Sequence, residues 1–211
     1  MFFDGRPRPG WERVPAQEAG ERWDLLEISQ DSVELEDLYG EEPEWFFVHD
    51  GDVTVDGPLV VHDNDGDDIS TLYVIDGDLT VHGPATFQNW DSNTALYVTG
   101  AVTVRDLTCV SHGQLFVGGA LTVEGQLFTG LADAGHLVVH GPVSARVWIE
   151  AAGRGAIYFP GVPEARLIGL PGNPYFGDTA TVEPLDEAVL PDLADRGRLM
   201  RAALDHRPLL R

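Results

Sequence analysis

Gly51-Asp-Val-Thr-Val55, Gly77-Asp-Leu-Thr-Val81, Gly100-Ala-Val-Thr-Val104, Gly119-Ala-Leu-Thr-Val123 and Gly141-Pro-Val-Ser-Ala145 are five versions of one phrase. Glycine opens each copy, an aliphatic residue stands third, and Thr-Val follows in four of the five. The openings lie 26, 23, 19 and 22 residues apart. Repeats of that length belong to stacked architectures, in which each unit buries its apolar face on its neighbours. An apolar strand precedes each copy: Trp45–Val48, Leu72–Ile75, Leu96–Val98, Leu115–Val117 and Leu137–Val139. A more variable apolar stretch follows it, such as Leu59–Val61, Leu107–Cys109 or Val147–Ile149.

Three short strands per unit with glycine at a corner predict a mostly β chain, folded as a single-stranded parallel β-helix of about 5–6 coils over residues 45–159. Alternation within the phrase points Val and Leu inward and Thr to water. Glycine suits the corner because it accepts positive φ without a steric penalty. Asp50 and Asp76, preceding the first two corner glycines, are read as lengthening those turns by one residue. The longer units carry insertions at Asp63–Thr71, Gln88–Ala95 and Gly130–Gly135, which would form a ridge if they stack.

The flanks are different in kind. Residues 1–44 form an N-terminal cap segment, with one helix expected over Pro15–Ile28 on the strength of Ala19, Trp23, Leu26 and Ile28, and a second over Ser32–Tyr39. An uncovered first coil would present unpaired strand-edge groups, so a cap is expected there. Residues 160–189 are irregular, with one more degenerate coil near Ala165–Leu170, and Leu190–Leu210 reads as a C-terminal helix; with Arg211 this tail carries five of the 13 arginines. Such a tail would close the far end of the solenoid or bind the acidic half of another copy.

Charge is divided as sharply as the repeats are ordered. The 211-residue chain carries 35 acids, 13 arginines and no lysine, a net charge of −22. Residues 23–104 hold 19 of the acids and no basic residue, so they contribute −19 and the rest only −3. That field repels phosphate backbones and anionic lipid and steers a basic partner toward the N-terminal half. Neither a bilayer-length apolar run nor a signal peptide is present, and one cysteine gives no internal disulfide, so a soluble cytoplasmic protein is expected.

The Gly-x-aliphatic-Thr-Val units of residues 51–145 resemble those of the bactofilins, bacterial polymer-forming β-solenoid proteins. The resemblance implies a compact right-handed parallel β-helix that assembles end to end into filaments and has no enzymatic activity. The coil lengths of this chain are uneven and both ends carry long non-repeat segments. Segments that cap the ends would oppose such growth.

Candidate chemistry concentrates in the insertions. Asp63-Asn-Asp-Gly-Asp-Asp68 has the look of a calcium loop, but glycine falls fourth rather than sixth and the twelfth position is Val74. A solvated acidic corner fits better, and no metal or other cofactor is assigned. Seven histidines show no structural zinc spacing, and His82 with Asp56 lacks an identifiable third ligand. Asp56, His82, Arg105, Glu124 and Arg146 follow the phrase in successive coils and would form an alternating-charge ladder. Cys109 reads as core, and no catalytic residue is assigned, since no nucleophile elbow, P-loop or dinucleotide fingerprint occurs. Trp45, Phe46, Phe47, Trp90 and Trp148 are candidate aromatic anchors for a partner.

The preferred expectation is therefore a non-enzymatic acidic binding protein of the bacterial immunity or antitoxin type, inhibiting a basic protein. Its candidate contact residues are Asp63, Asp65, Asp67, Asp68, Trp90 and Asp91. The alternatives are a self-assembling scaffold of the bactofilin type and, more distantly, a β-helix enzyme acting on polysaccharide.

Overall fold

In the computed structural model the chain is mostly β, a parallel β-solenoid of about five turns. The structure describes residues 1–3, 8–23, 45–62, 71–90, 94–151, 154–170, 173–177, 180–193 and 195–211. The predicted helix over Ser32–Tyr39, the Leu26 and Ile28 end of the first predicted helix, and the Asp63–Asp68 loop lie outside the described residues.

The strands are β1 (Phe2–Phe3), β2 (Glu12–Pro15), β3 (Trp45–Asp50), β4 (Val53–Val55), β5 (Leu59–His62), β6 (Thr71–Asp76), β7 (Leu79–Asn89) and β8 (Thr94–Val98). They continue as β9 (Val102–Ser111), β10 (Gln114–Val117), β11 (Leu121–Leu131), β12 (His136–Val139), β13 (Val143–Glu150), β14 (Ala156–Tyr158), β15 (Glu164–Gly169) and β16 (Val182–Pro184). One sheet runs β14-β12-β10-β8-β6-β3-β2 and the other β1-β5-β7-β9-β11-β13-β15-β16, with β4 also paired to β7. Only the first coil keeps the three separate strands expected. From β7 onward the second and third stretches are one strand, bent where the register shifts, as between Val81 and Pro84. The bend is a bulge that turns one strand through a corner without ending it.

Two phases of side chain follow from the two-residue period. Phe47, Tyr73, Leu96, Leu115 and Leu137 pair in successive coils and point into the lumen, where they meet the Val and Leu positions of the repeated phrase. The intervening Thr54 and Thr122 are exposed. In the first sheet the opposite phase is apolar too. Phe46, Val48, Leu72, Val74, Tyr97, Phe116 and Val138 form a second buried cluster with Val14, Ala19 and Trp23. Both faces of that sheet are therefore covered, which is why its strands read as unbroken apolar runs. Tyr97 and Phe116 stack there with centroids 4.3 Å apart and planes 6° off parallel.

The edges of the first coil are covered by strands. β1 adds parallel to β5, and β2 adds antiparallel to β3. Helix α1 (Ala16–Trp23) packs Ala19 and Trp23 on the outer side of the first sheet. At the other end the stack continues through β15 and β16, and Phe176 enters the lumen against Trp148, 5.0 Å between centroids.

The C-terminal tail is not the single helix expected over Leu190–Leu210. It comprises α2 (Leu185–Ala188), a 3-10 turn at Pro191–Leu193 and α3 (Arg196–Leu204). Asp195 restarts the helix by accepting the Arg198 N–H at 3.0 Å, and His206 at φ 51° ends it. The tail lies along the flank of the second sheet, burying Leu193, Leu199, Ala202 and Ala203 with Val110, Phe128 and Ile149. No helix among the described residues is long and apolar enough to cross a membrane.

Candidate functional site

The corner that the repeated phrase builds is also where the acidic half shows its charge. Gly51 alone among the five corner glycines adopts positive φ, at 95°. The others are required by close approach between coils. A Cβ on Gly77 would stand 2.6 Å from the Gly51 carbonyl carbon, and one on Gly141 2.6 Å from that of Gly119. The backbones touch because the N–H groups of Gly51, Gly100, Gly119 and Gly141 each bond a carbonyl of an adjacent coil, as Gly119 does to Gly100 at 2.8 Å. Glycine is thus selected here for contact rather than for φ.

Around this column the first two coils carry Asp50 and Asp52, then Asp76 and Asp78. Asp50 and Asp76 are direct register partners, and Thr99 is the next residue to occupy their place, followed by Gly118 and His140. The turn is the same length in every coil, so the expected lengthening of the first two is corrected. Asp50, Asp52 and Asp78 are exposed and Asp76 is half-buried. Asp52 Oδ1 accepts the Asp78 N–H at 2.9 Å, and Asp78 Oδ1 accepts the Ala101 N–H at 2.7 Å. Asp76 Oδ1 accepts the Thr99 hydroxyl at 3.1 Å. Three of the four carboxylates are consequently held in place by the fold, with coils stacked about 4.8 Å apart.

The later coils keep the same backbone without the acids. Leu79, Val102 and Leu121 each donate from the corner to Ala101, Ala120 and Pro142 respectively, as Val53 donates to Asp78. Alanine and proline therefore serve the corner as well as aspartate does. The carboxylates are additions to a corner that forms without them.

Of the contact residues singled out from the sequence, Trp90 is described, and it stands at a different corner, where the second sheet hands over to the first. Asp63, Asp65, Asp67, Asp68 and Asp91 lie outside the described residues. His62, immediately before the first of them, pairs with Gln88, two residues before Trp90. β5 and β7 thus end side by side at that corner. Trp90 follows β7 there and is 59% exposed. The other aromatic candidates are not open anchors. Phe46 is buried on the outer side of the first sheet, Phe47 in the lumen, and Trp148 in the lumen with its Nε1–H donated to Thr129 at 2.9 Å. Trp45 lies under the Arg13 guanidinium, 4.4 Å from the ring centroid.

The proposed charge ladder occupies the third corner, where β7, β9 and β11 bend. Asp56, His82, Arg105, Glu124 and Arg146 are all exposed there, and Arg105 pairs with Asp106 at 3.0 Å. Asp106 repeats the device seen at the glycine corner, accepting the Gln126 N–H at 2.9 Å. No group of three metal-ligating side chains occurs among the described residues. Cys109 lines the lumen, and burial raises its thiol pKa far above the usual value, a poor setting for a nucleophile.

One buried acid was missed. Glu150 is fully buried on the ladder Phe87-Cys109-Thr129-Glu150. The Asn173 side-chain amide donates to its Oε2 at 2.7 Å, and Asn173 Oδ1 accepts the Tyr175 N–H at 2.9 Å. Burial first, and then the Glu150 charge, raise the Tyr175 pKa. The signal was present: Glu150 has the same strand phase as Trp148, which points inward. A separate cleft of about 330 Å³ separates the tail from the last coils, with apolar walls that include Ala151, Leu185 and Val189. Its polar side chains, Asp186 and Arg196, are both exposed.

No protein-family model, no curated protein and no solved structure matches this chain.

Proposed function

We propose that the chain is a non-enzymatic binding protein, a rigid solenoid whose acidic N-terminal coils take a basic protein partner. An immunity or antitoxin protein of bacterial type is the concrete form of this reading, acting in the cytoplasm by covering a basic cleft on its target. The observation that carries it is the glycine corner. Four carboxylates stand there in two stacked coils, three held by hydrogen bonds from the fold, while the next coils make the same corner with Ala101, Ala120 and Pro142. Side chains that the scaffold does not need, fixed in place at a cost in like-charge repulsion, are what recognition of a cationic surface requires. Trp90 supplies an aromatic anchor at the neighbouring corner, and the acids Asp63, Asp65, Asp67 and Asp68 add further negative charge to this half of the chain.

The test is affinity purification of the tagged protein from its native cell, followed by a salt titration of the complex with whatever stoichiometric partner elutes. A basic partner is expected, with affinity falling at least about tenfold between low salt and ~0.5 M. Substituting Asp50, Asp52 and Asp78 together by asparagine should weaken binding while leaving the melting temperature nearly unchanged. Binding indifferent to both salt and these substitutions overturns the electrostatic reading.

The self-assembling scaffold has one observation on its side. At the C-terminal end the outermost strands are β14 and β16, and Tyr158 at the end of β14 is exposed. Growth end to end would have to join that edge to β1 and β2, and β2 ends on Pro15. Filaments seen by electron microscopy would favour the scaffold over the binding protein.

A further inference from the structure

The outward face of α3 complements the acidic corner in charge and in spacing, and we infer that it docks on that corner of a second copy of this chain. The last sixteen residues, Arg196–Arg211, hold five arginines and one acid, Asp205, a local charge of +4 in a chain of −22. Leu199, Ala202 and Ala203 face the solenoid, leaving Arg198 and Arg201 exposed on the other side. With Arg207 they border a groove of about 260 Å³ that also carries Asp192 and Asp205. Three guanidiniums against two carboxylates leave the groove positive.

Spacing argues for this occupant. Side chains at i and i+3 on a helix stand ~5–6 Å apart at Cβ. The Asp50–Asp76 and Asp52–Asp78 columns repeat at the coil spacing of ~4.8 Å. Arg198 and Arg201 can therefore each meet one coil, and a guanidinium presents its paired donors to a carboxylate in the geometry that binds best. Within one molecule α3 packs against Val110 and Phe128 on the flank of the second sheet, whereas the acids stand at the turn from the first sheet into the second. The contact uses two different surfaces and is heterologous, so it builds rings or short chains rather than a two-fold pair. This inference shares the acidic corner with the proposed function but not α3. A basic partner would compete with the second copy for the same carboxylates.

Sedimentation velocity tests it directly, at protein concentrations on the order of 100 μM because exposed ion pairs are individually weak. The wild-type chain should associate at low salt and become monomeric at about 0.5 M. The exposed substitutions Arg198→Glu and Arg201→Glu, made together, should give a monomer at every salt concentration with the thermal transition preserved. Asp50→Arg with Asp76→Arg, which spares the two acids bonded to backbone, should do the same. An equimolar mixture of the two variants should associate again, because each now presents what the other lacks. A wild-type monomer at low salt, or a helix variant that associates like wild type, overturns the inference. The helix variant also separates the two readings, since it should keep its affinity for a basic partner while losing affinity for itself.

Discussion

The two ends of the solenoid differ in how they use carboxylates. In the first two coils Asp50, Asp52, Asp76 and Asp78 stand on the outside of the glycine corner, around a lumen filled by Phe3, Phe47 and Tyr73. In the last coils the same corner carries Gly118, Ala120 and Pro142, and alongside exposed acids such as Glu124 and Glu164 one carboxylate, Glu150, is inside. An external carboxylate keeps its water and costs the fold little. A buried one must be answered by hydrogen bonds, and here Asn173 provides one. The outer acids are thus free to serve a partner, whereas Glu150 is tied to closing the stack.

The backbone beneath both ends is the same, and that is the most severe way to test the comparison. Gly77→Ala and Gly141→Ala each put a Cβ 2.6 Å from a carbonyl carbon of the preceding coil. Each should cost ~3 kcal/mol or more by overpacking, in equal measure at the two ends. Gly51→Ala meets no atom within 4 Å and suffers only from its φ of 95°, about 1–2 kcal/mol. Urea unfolding of the three variants gives the order. A Gly51 penalty as large as the others would restore conformational freedom as the reason for glycine.

Glu150→Ala comes next. It leaves the half-buried Asn173 amide without its acceptor, at a cost of ~1–3 kcal/mol. Glu150→Gln keeps the shape and an acceptor oxygen and should recover at least half of that. If the alanine variant unfolds no earlier in urea than wild type, the inner carboxylate is as dispensable as the outer ones and the contrast between the ends fails.

Histidine repeats the contrast on a smaller scale. His82 in the second coil is exposed, whereas His136 is buried on the outer side of the first sheet, beside Phe116. Burial lowers the His136 pKa below 6.5, only partly opposed by its hydrogen bond to the Ala134 carbonyl. The unfolded chain then binds the proton more readily than the folded one. Stability is therefore complete above about pH 6.5 and declines as pH falls from there through the folded pKa. His136→Phe should flatten part of that decline when urea midpoints are compared at pH 7 and 5.5. Equal slopes for the two proteins would remove His136 from the account.

The solenoid was legible because its signal is repeated. Val53, Leu79, Val102, Leu121 and Val143 each sit one coil apart, and an error in one copy is corrected by the others. Elements that occur once were less legible. Asp195 after the Pro191 turn marks a second helix start, yet a periodic reading of Leu193, Leu199 and Ala203 runs straight through it. One of its two alternatives put the C-terminal arginines at the end of the stack, although the face of Leu199, Ala202 and Ala203 seats them on its flank. The reason for the corner glycines was hidden as well, because contact between coils is a relation between residues some twenty positions apart and leaves no local trace. Of the candidate site, the sequence showed the sign of the charge and the half of the chain that carries it, but it singled out Asp63–Asp68, Trp90 and Asp91 rather than the acids of the glycine corner. It did not show that Asp52 and Asp78 are bonded to the next coil, since that depends on register.

The smallest expected effect on stability bears most directly on function. Asp78→Ala removes one exposed hydrogen bond, from the Ala101 N–H, worth about 1 kcal/mol or less. The loss is limited because the corner bond from Leu79 to the Ala101 carbonyl remains, and because the coils with Ala101 and Ala120 make the same turn without an acid. Removing a negative charge from beside Asp50, Asp52 and Asp76 also relieves repulsion, which offsets part of the cost. The urea midpoint should therefore barely move, while affinity for a basic partner falls and its dependence on salt becomes shallower. A large loss of stability would make Asp78 a structural residue like Glu150. The outer carboxylates of the first coils would then belong to the scaffold, and the acidic corner would no longer point to a partner.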